Sequence, residues 1–442
     1  MRKYYHSVTL KREKCMGCTN CIKRCPTEAI RVREGKARII PERCIDCGEC
    51  IRVCPYHAKV AVTDPLDSIH RFKYKIALPA PSLYGQFKNL KSIDSVLKGL
   101  LGLGFDDVFE VARGADYITE FSKKQIRQWK GPWPLISSAC PAIIRLIQVR
   151  FPELIENILP VVSPMECAAQ IAKREFCRKH GVDEDEVGAF FITPCAAKVT
   201  SIKNPIGDEK SAVDGAISIL EIYGPLAASL NKLESKPDLQ KATLLGVGWA
   251  NSGGESHALG TDNYLAVNGI HNVIHVLEQI ENGKLSDLEF FEGLACVGGC
   301  VGGPLVFENS FVAQIRIKKL VRGMRVPDKT DKNLDPVYEN FDWSLKGKIY
   351  PKPVMKLDED LSVAIKKMEE MDRIYKRLPG LDCGSCGSPS CRTLAEDIVQ
   401  GDATELDCIF ELRERVQELA REMIELSEKI PTGREREKGD KR

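Results

Sequence analysis

The chain has 442 residues, long enough for two or three domains, and carries 64 basic against 62 acidic residues, a formal net charge of +2. So even a balance sets up no global field for nucleic acid or an anionic surface, and no apolar run reaches transmembrane length. The start, Met1 to His6, lacks an apolar signal region, so a cytoplasmic protein is expected, in which eighteen cysteines point to metal rather than disulfides.

Residues 1–63 carry Cys15-x2-Cys18-x2-Cys21-x3-Cys25-Pro26 and then Cys44-x2-Cys47-x2-Cys50-x3-Cys54-Pro55. This repeated run has the bacterial ferredoxin spacing and implies an α+β domain with two [4Fe–4S] clusters. The chain is expected to cross between them: Cys15, Cys18, Cys21 and Cys54 hold one, and Cys44, Cys47, Cys50 and Cys25 the other. A zinc ribbon wants isolated C-x2-C pairs, not four-cysteine runs. The role implied is an electron wire.

Thr63 to Arg71 reads as a linker. From about residue 72 to 325, short apolar runs alternate with amphipathic stretches, which predicts an α/β domain with largely parallel sheets. Strand candidates are Pro134–Ile136, Gly188–Ile192 and Ala242–Val247; helix candidates are Ser92–Gly102, Ile143–Val149, Ala168–Arg178, Asp214–Ser229 and Ile270–Asn282. Two strands lead into cysteines, at Ser138-Ala139-Cys140-Pro141 and Thr193-Pro194-Cys195-Ala196-Ala197-Lys198. A third segment is Phe291-Glu-Gly-Leu-Ala-Cys296-Val-Gly-Gly-Cys300-Val-Gly-Gly303, whose glycines read as leaving room for a large inorganic ligand. Cys167 and Cys177 lie on a helical stretch without partners and read as inert thiols.

Residues 326–375 form a connector, Pro- and charge-rich at first and helical over Leu361–Tyr375. Residues 376–410 hold Leu378-Pro-Gly-Leu-Asp-Cys383-Gly-Ser-Cys386-Gly-Ser-Pro-Ser-Cys391, with Cys408 beyond a helical stretch and Gly401. They resemble a small four-cysteine [4Fe–4S] module of anaerobic redox proteins; a structural zinc site is the alternative. In the last segment, 411–442, Leu412, Val416, Leu419, Met423, Leu426 and Ile430 alternate at four and three residues, a short a/d seam. The helix either lies on its own protein or meets a partner, with a homodimer as one choice, and Thr432–Arg442 reads as a charged, disordered tail.

The three central cysteine segments resemble those of [FeFe]-hydrogenases. The resemblance implies a two-lobed domain with the metal cluster between the lobes, the Cys140 loop on one side and the Cys195 and Cys296/Cys300 loops closing the rest. It further implies a cubane on Cys140, Cys195, Cys296 and Cys300, with Cys300 bridging to a di-iron unit carrying CO, cyanide and dithiolate ligands. Lys198 matches the lysine that donates to a cyanide, and Ala80-Pro81-Ser82 the loop whose serine does likewise. Pro81, Ser82 and Lys198 are thus the expected cofactor-binding residues, and Cys300, Lys198 and Ser82 the catalytic ones. Ser163-Pro164 and Ser252-Gly253-Gly254-Glu255 match further landmarks. With the flanking modules this makes four [4Fe–4S] clusters, an oxidoreductase acting on H2 and protons, and a redox partner such as a ferredoxin or a signalling protein.

The departures cluster around the site. Fast members have Cys-Cys-Pro at the first segment, where the first thiol relays protons; here that position is Ala139. Thr193 and Leu294 stand where methionines flank the di-iron unit, Leu159 stands at the pathway serine, and Glu120 is the candidate pathway glutamate. This resembles the sensory branch: cluster ligands kept, proton wire altered, turnover slow. The competing readings are an iron–sulfur scaffold lacking the di-iron unit and an electron-transfer subunit.

Overall fold

The computed structural model describes residues 5–230, 239–324, 334–354 and 356–429. The residues at the start of the chain, the charged first part of the connector, Ile430 of the seam and the tail from Thr432 lie outside the described residues.

The N-terminal region is ferredoxin-like. Strands β1 (Val8–Leu10), β2 (Ile30–Arg33), β3 (Lys36–Ile39) and β4 (Lys59–Ala61) form two antiparallel pairs, β1 with β4 and β2 with β3. Each cysteine run bends through left-handed residues, Gly17 and Thr19 in the first, Asp46 and Gly48 in the second. A Cβ on Gly17 would lie 2.6 Å from the Gly35 carbonyl oxygen, so both φ and space demand glycine there.

The central domain holds two parallel sheets. The larger runs β6 (Asp107–Val108), β5 (Tyr74–Pro79), β8 (Val187–Thr193), β9 (Gly215–Ser218); the smaller runs β10 (Tyr264–Asn268), β11 (Phe290–Leu294), β7 (Leu135–Ile136). Every residue of β8 is buried, because helices cover both faces of a parallel sheet. Its side chains alternate accordingly: Val187, Ala189 and Phe191 enter one apolar core, and Phe190 and Ile192 the other. A third core joins the smaller sheet (Ile136, Phe291) to helices Pro141–Arg150 and Ile270–Glu281, and takes Ile45 from the ferredoxin-like region.

Most expected helices form where periodicity puts them: Ile93–Gly102 capped by the Ser92 hydroxyl, Pro141–Arg150, Pro164–His180, Ile270–Glu281 and Leu361–Arg377. Two expectations fail. Ala242–Val247 is not a strand; Thr243 caps a short helix, Leu244–Gly248, its Oγ1 accepting from the Leu245 and Gly246 amides. Asp214–Ser229 is not one helix either, since Gly215–Ser218 pairs with β8 before the helix starts at Ile219. Short apolar runs do not distinguish strand from buried helix by period alone.

The stretch read as a linker is tied down: Asp64 exchanges backbone and carboxylate hydrogen bonds with Ala216, both 2.8 Å, and Ile69 is buried. Within the stretch read as a connector, Trp343 is buried against the central domain and its carbonyl accepts from Val162 N at 2.9 Å. The C-terminal module has its own small core around Ile374, Leu394, Cys391 and Cys408, and helix Ile409–Lys429 carries no buried residue. Leu412, Val416, Leu419, Met423 and Leu426 are all exposed, so the helix does not lie on its own protein among the described residues. No described helix is long and apolar enough to cross a membrane.

Candidate metal centre

The landmark loops of the central domain leave the carboxyl ends of parallel strands: Ala80-Pro81-Ser82 after β5, Cys140 after β7, Cys195 after β8, and Cys296 and Cys300 after β11. Open parallel sheets bind ligands at such ends, and here the two sheets direct them into one cavity. Ser82, Cys140, Cys195, Lys198, Cys296 and Cys300 all line it. The expected grouping of loops needs correction. Cys140 and Cys296/Cys300 come from the smaller sheet, and Cys195 comes from the larger.

Cys140 and Cys195 sit at the N-caps of helices Pro141–Arg150 and Ala196–Lys203, and Pro141 at N1 costs no hydrogen bond. Lys198 lies in the first turn of the second helix, three residues past Cys195, so both side chains share a face. Thr193, at the end of β8, accepts from Cys195 N at 3.0 Å and fixes the entry of the loop.

Burial raises the Cys195 thiol to about 12, with Cys296 and Cys140 adding to the shift. Cys300 is pushed well up by burial and then by Cys140, Cys195 and Cys296. Cys296 is raised by burial, while the Arg52 guanidinium, 3.5 Å from its sulfur, pulls the other way. Buried thiols crowded in this way oppose ionisation unless a cationic centre takes the place of their protons. The other donors fit the same conclusion. Ser82 Oγ and Trp249 Nε1 are buried without a hydrogen-bond partner, and both residues line the cavity. Lys198 is enclosed, its pKa lowered by desolvation, with the cysteine sulfurs and Glu166 as its charged surroundings. This donor set fits an iron–sulfur group bearing hydrogen-bond acceptors.

The glycines of the third segment have a further reason beside the one expected. A Cβ on Gly299 would meet Ser252 N at 2.5 Å, and one on Gly303 the Pro194 carbonyl oxygen at 2.2 Å. Backbone packed on backbone excludes side chains at both positions, and both glycines also line the cavity.

Glu255 and Glu292 also line the cavity. Ser137 Oγ donates to Glu255 at 2.5 Å and accepts from Ala139 N at 3.2 Å. Glu292 accepts from Gly253 N, Ser256 N and Ser256 Oγ at 2.8–2.9 Å. Burial, and then the charge of Glu292, raises the Glu255 carboxyl to about 8. Sequence reading reached Glu255 only as part of a landmark and missed Glu292. The available signal was a carboxylate inside Phe290–Leu294, a strand otherwise of core residues.

Of the departures, Ala139 and Leu294 line the cavity, whereas Leu159 is buried in an apolar core. Glu120 is partly exposed, pairs with Lys123 at 2.9 Å and is not among the cavity's lining residues. Cys167 sits in the core, its thiol pushed well up by burial.

In the ferredoxin-like region Cys15, Cys18, Cys21 and Cys54 ring one cavity. Cys50 is raised to about 12 by burial and by Cys25, and Cys47 is raised by burial, Cys25 and Cys50, so the second set also draws on both runs. Backbone amides reach the sulfurs in matching fashion: Ala29 N to Cys25 at 3.2 Å, Ala58 N to Cys54 at 3.3 Å. In the C-terminal module Cys391 and Cys408 are buried, Cys386 packs against them, and Cys383 is exposed.

Fold and site together define an iron–sulfur protein organised around a four-thiol cavity. The profile of the family "iron only hydrogenase large subunit, C-terminal domain" matches residues 73–264 and 256–304, over half of the chain, and the chain belongs to this family. Residues 7–55 match a 4Fe-4S dicluster domain and 378–410 an Fe-S cluster family. The chain is similar to iron hydrogenase 1 of Clostridium pasteurianum, 24% identical over 368 residues, covering 67% of this chain and 64% of that one. It is also similar to the periplasmic [Fe] hydrogenase large subunit of Nitratidesulfovibrio vulgaris, 27% identical over 363 residues, covering 67% and 86%. It thus spans less than two thirds of the Clostridium protein. A variant of [FeFe]-hydrogenase HydA1 from Chlamydomonas reinhardtii has the same fold, with a TM-score of 0.50 at 15% identity over 65% of this chain and 98% of that one.

Proposed function

We propose that this chain is an iron–sulfur oxidoreductase of the [FeFe]-hydrogenase type that binds H2 and interconverts it slowly with protons and electrons. The observation that carries the proposal is the convergence of Cys140, Cys195, Cys296 and Cys300 with Lys198 and the unpartnered Ser82 hydroxyl on one cavity. Buried donors without acceptors are costly, and cyanide ligands would satisfy them. A scaffold lacking the di-iron unit leaves them unexplained, which is why that reading ranks second.

When bound, the di-iron unit supplies the centre at which H2 is split or formed, next to the cubane that exchanges electrons with it. The residues of this chain do the rest. Cys140, Cys195, Cys296 and Cys300 would hold a cubane, Cys300 would link it to the di-iron unit, and Lys198 and Ser82 would donate to the ligands. The sixteen cysteines would hold four cubanes, which would supply a path for single electrons to a redox partner protein, a ferredoxin or a signalling partner. Ala139 presents a methyl to the cavity, where it can neither accept nor donate a proton, so slow turnover and an H2- or redox-sensing role go together. The exposed seam of helix Ile409–Lys429 is the place for a second copy or the signalling partner, and a cytoplasmic setting belongs to the same proposal.

Infrared spectroscopy of the anaerobically matured protein tests this. Terminal CO and CN bands are expected, lost or greatly weakened in Cys300→Ala. A correctly matured wild type without such bands would overturn the proposal in favour of the scaffold.

A further inference from the structure

The second cysteine run of the ferredoxin-like region repeats the first 29 residues later, so Lys23 and Arg52 are equivalent positions, each two residues past the third cysteine. Both side chains leave their own domain. Arg52 Nη1 donates to Cys296 Sγ of the central cavity at 3.5 Å. Lys23 Nζ donates to the Pro389 carbonyl at 3.1 Å, inside the cysteine loop of the C-terminal module. The same device thus docks one half of the ferredoxin-like region on each of two other cysteine centres.

The second docking is extensive. Arg31 Nε lies 2.9 and 2.6 Å from the two Asp397 oxygens, with each side chain only 7% exposed. Arg33 adds a bond to Asp397 at 2.9 Å and another to the Cys386 carbonyl at 2.9 Å. Val32 N donates to the Gly387 carbonyl at 2.8 Å, and a Cβ on Gly387 would lie 1.8 Å from Val32 O. Val32 itself lines the cavity ringed by Cys15, Cys18, Cys21 and Cys54. One residue therefore spans the gap between the first ferredoxin-type centre and the Cys386 loop. A module held on a tether needs no buried carboxylate between two guanidinium groups, because such a cluster is stable only while every member stays in place.

We propose that the C-terminal four-cysteine module is the outer terminus of the electron wire. It exchanges single electrons with the centre of Cys15, Cys18, Cys21 and Cys54 across the Val32–Gly387 contact. This rests on the cluster assignments of the proposed function. In the H2-oxidising direction the ferredoxin-type cubane goes from the 1+ to the 2+ state as the module's cubane goes from 2+ to 1+. No proton moves, and an external one-electron acceptor protein then reoxidises the module beside its exposed ligand, Cys383.

The test uses the full chain with its cubanes, fully reduced, and electron paramagnetic resonance. The module's contribution is isolated by subtracting the spectrum of a variant with Cys383, Cys386, Cys391 and Cys408 all changed to Ser. Wild type is expected to show magnetic splitting between the module and the first ferredoxin-type cluster. Asp397→Ala, and separately Arg31→Met, should keep the full iron content yet collapse that splitting and slow electron delivery to a one-electron acceptor at least tenfold. Splitting absent from wild type, or delivery unchanged in the undocked variants, would mean that electrons leave elsewhere, for instance at Cys18, and would overturn the inference. A four-Ser variant with the same iron content as wild type would instead overturn the cluster assignment beneath it.

Discussion

Replacing Arg52 by Met removes the guanidinium that donates to Cys296 Sγ and is held in place by Glu49 at 2.6 Å. A cubane gains one negative charge on reduction, so a cationic donor at its thiolate favours the reduced state and raises the potential. Hydrogen bonds to charged groups contribute about 1.5–3 kcal/mol, and only the difference between the redox states counts. The N···S distance of 3.5 Å, a side chain 25% exposed and the sharing with Glu49 all argue for the bottom of that range. A loss of ~1.4 kcal/mol is about tenfold in the reduction equilibrium, or ~59 mV for one electron. The cubane of the central cavity in Arg52→Met should therefore titrate ~59 mV lower. Glu49→Gln, which removes the opposing charge but not the donor, should move it upward and by less. The assay is a redox titration followed by electron paramagnetic resonance on anaerobically reconstituted protein lacking the di-iron unit. A potential unmoved by Arg52→Met, or moved in the same direction by both variants, refutes the reasoning.

Two more outcomes follow from the cavity and its surroundings. Positioned acid–base groups contribute ~10²–10⁴-fold, yet Ala139→Cys should give only a modest gain in anaerobic H2 oxidation, because Thr193, Leu294 and Leu159 also depart from the fast pattern. A wild type already as fast as Cys-Cys-Pro hydrogenases would remove the main support for the sensing role. Glu110 is raised to about 7 by burial, against two backbone amides, Lys241 N and Ala242 N at 2.6 and 2.9 Å, that pull it down. The native state thus binds more protons here than the unfolded chain, and the stability it contributes is complete below about pH 4.5 and lost as pH rises through about 7. Glu110→Gln should flatten the fall in apparent Tm between pH 5 and 8 at constant scan rate; an unchanged slope would show that Glu110 does not set it.

The metal chemistry was legible because it is local. Three cysteines at x2 spacing face one cube whatever surrounds them, and a cysteine just beyond an apolar run marks the end of a strand. The sheets were legible for the same reason, through runs such as Val187–Thr193. What escaped is long-range. Arg31 and Asp397 are 366 residues apart, Arg52 and Cys296 are 244 apart, and nothing at either end of such a pair announces the other. Glu292 escaped because a charge inside a buried strand is accounted for only by the Gly253 and Ser256 amides it receives from another segment. The third segment was legible only in part: Gly299 and Gly303 also pack on Ser252 and Pro194, contacts that spacing along the chain does not encode.

The two halves of the ferredoxin-like region share a fold but not their outer faces, and single positions account for the difference. Thr19 and Gly48 are equivalent and both left-handed. At Gly48 a Cβ would stand 2.5 Å from the Pro304 ring, so only glycine lets the second half close on the loop after Cys300, whereas the first half keeps a threonine there. Gly17 and Asp46 are equivalent as well. Asp46 is buried, accepts from Ser7 N and Val8 N at 3.1 and 2.9 Å, and receives the Thr200 hydroxyl at 2.9 Å from the helix that begins beside Cys195. The first half has only the Gly35 carbonyl against Gly17. The two repeats of the ferredoxin-like region have thus diverged at their surfaces: the second half is fitted to the central domain by a glycine, an aspartate and an arginine. The first half is left to face the C-terminal module through Lys23, Arg31 and Arg33. Exchanging Lys23 and Arg52 would leave both cysteine runs intact and alter only what each centre senses beyond its own domain.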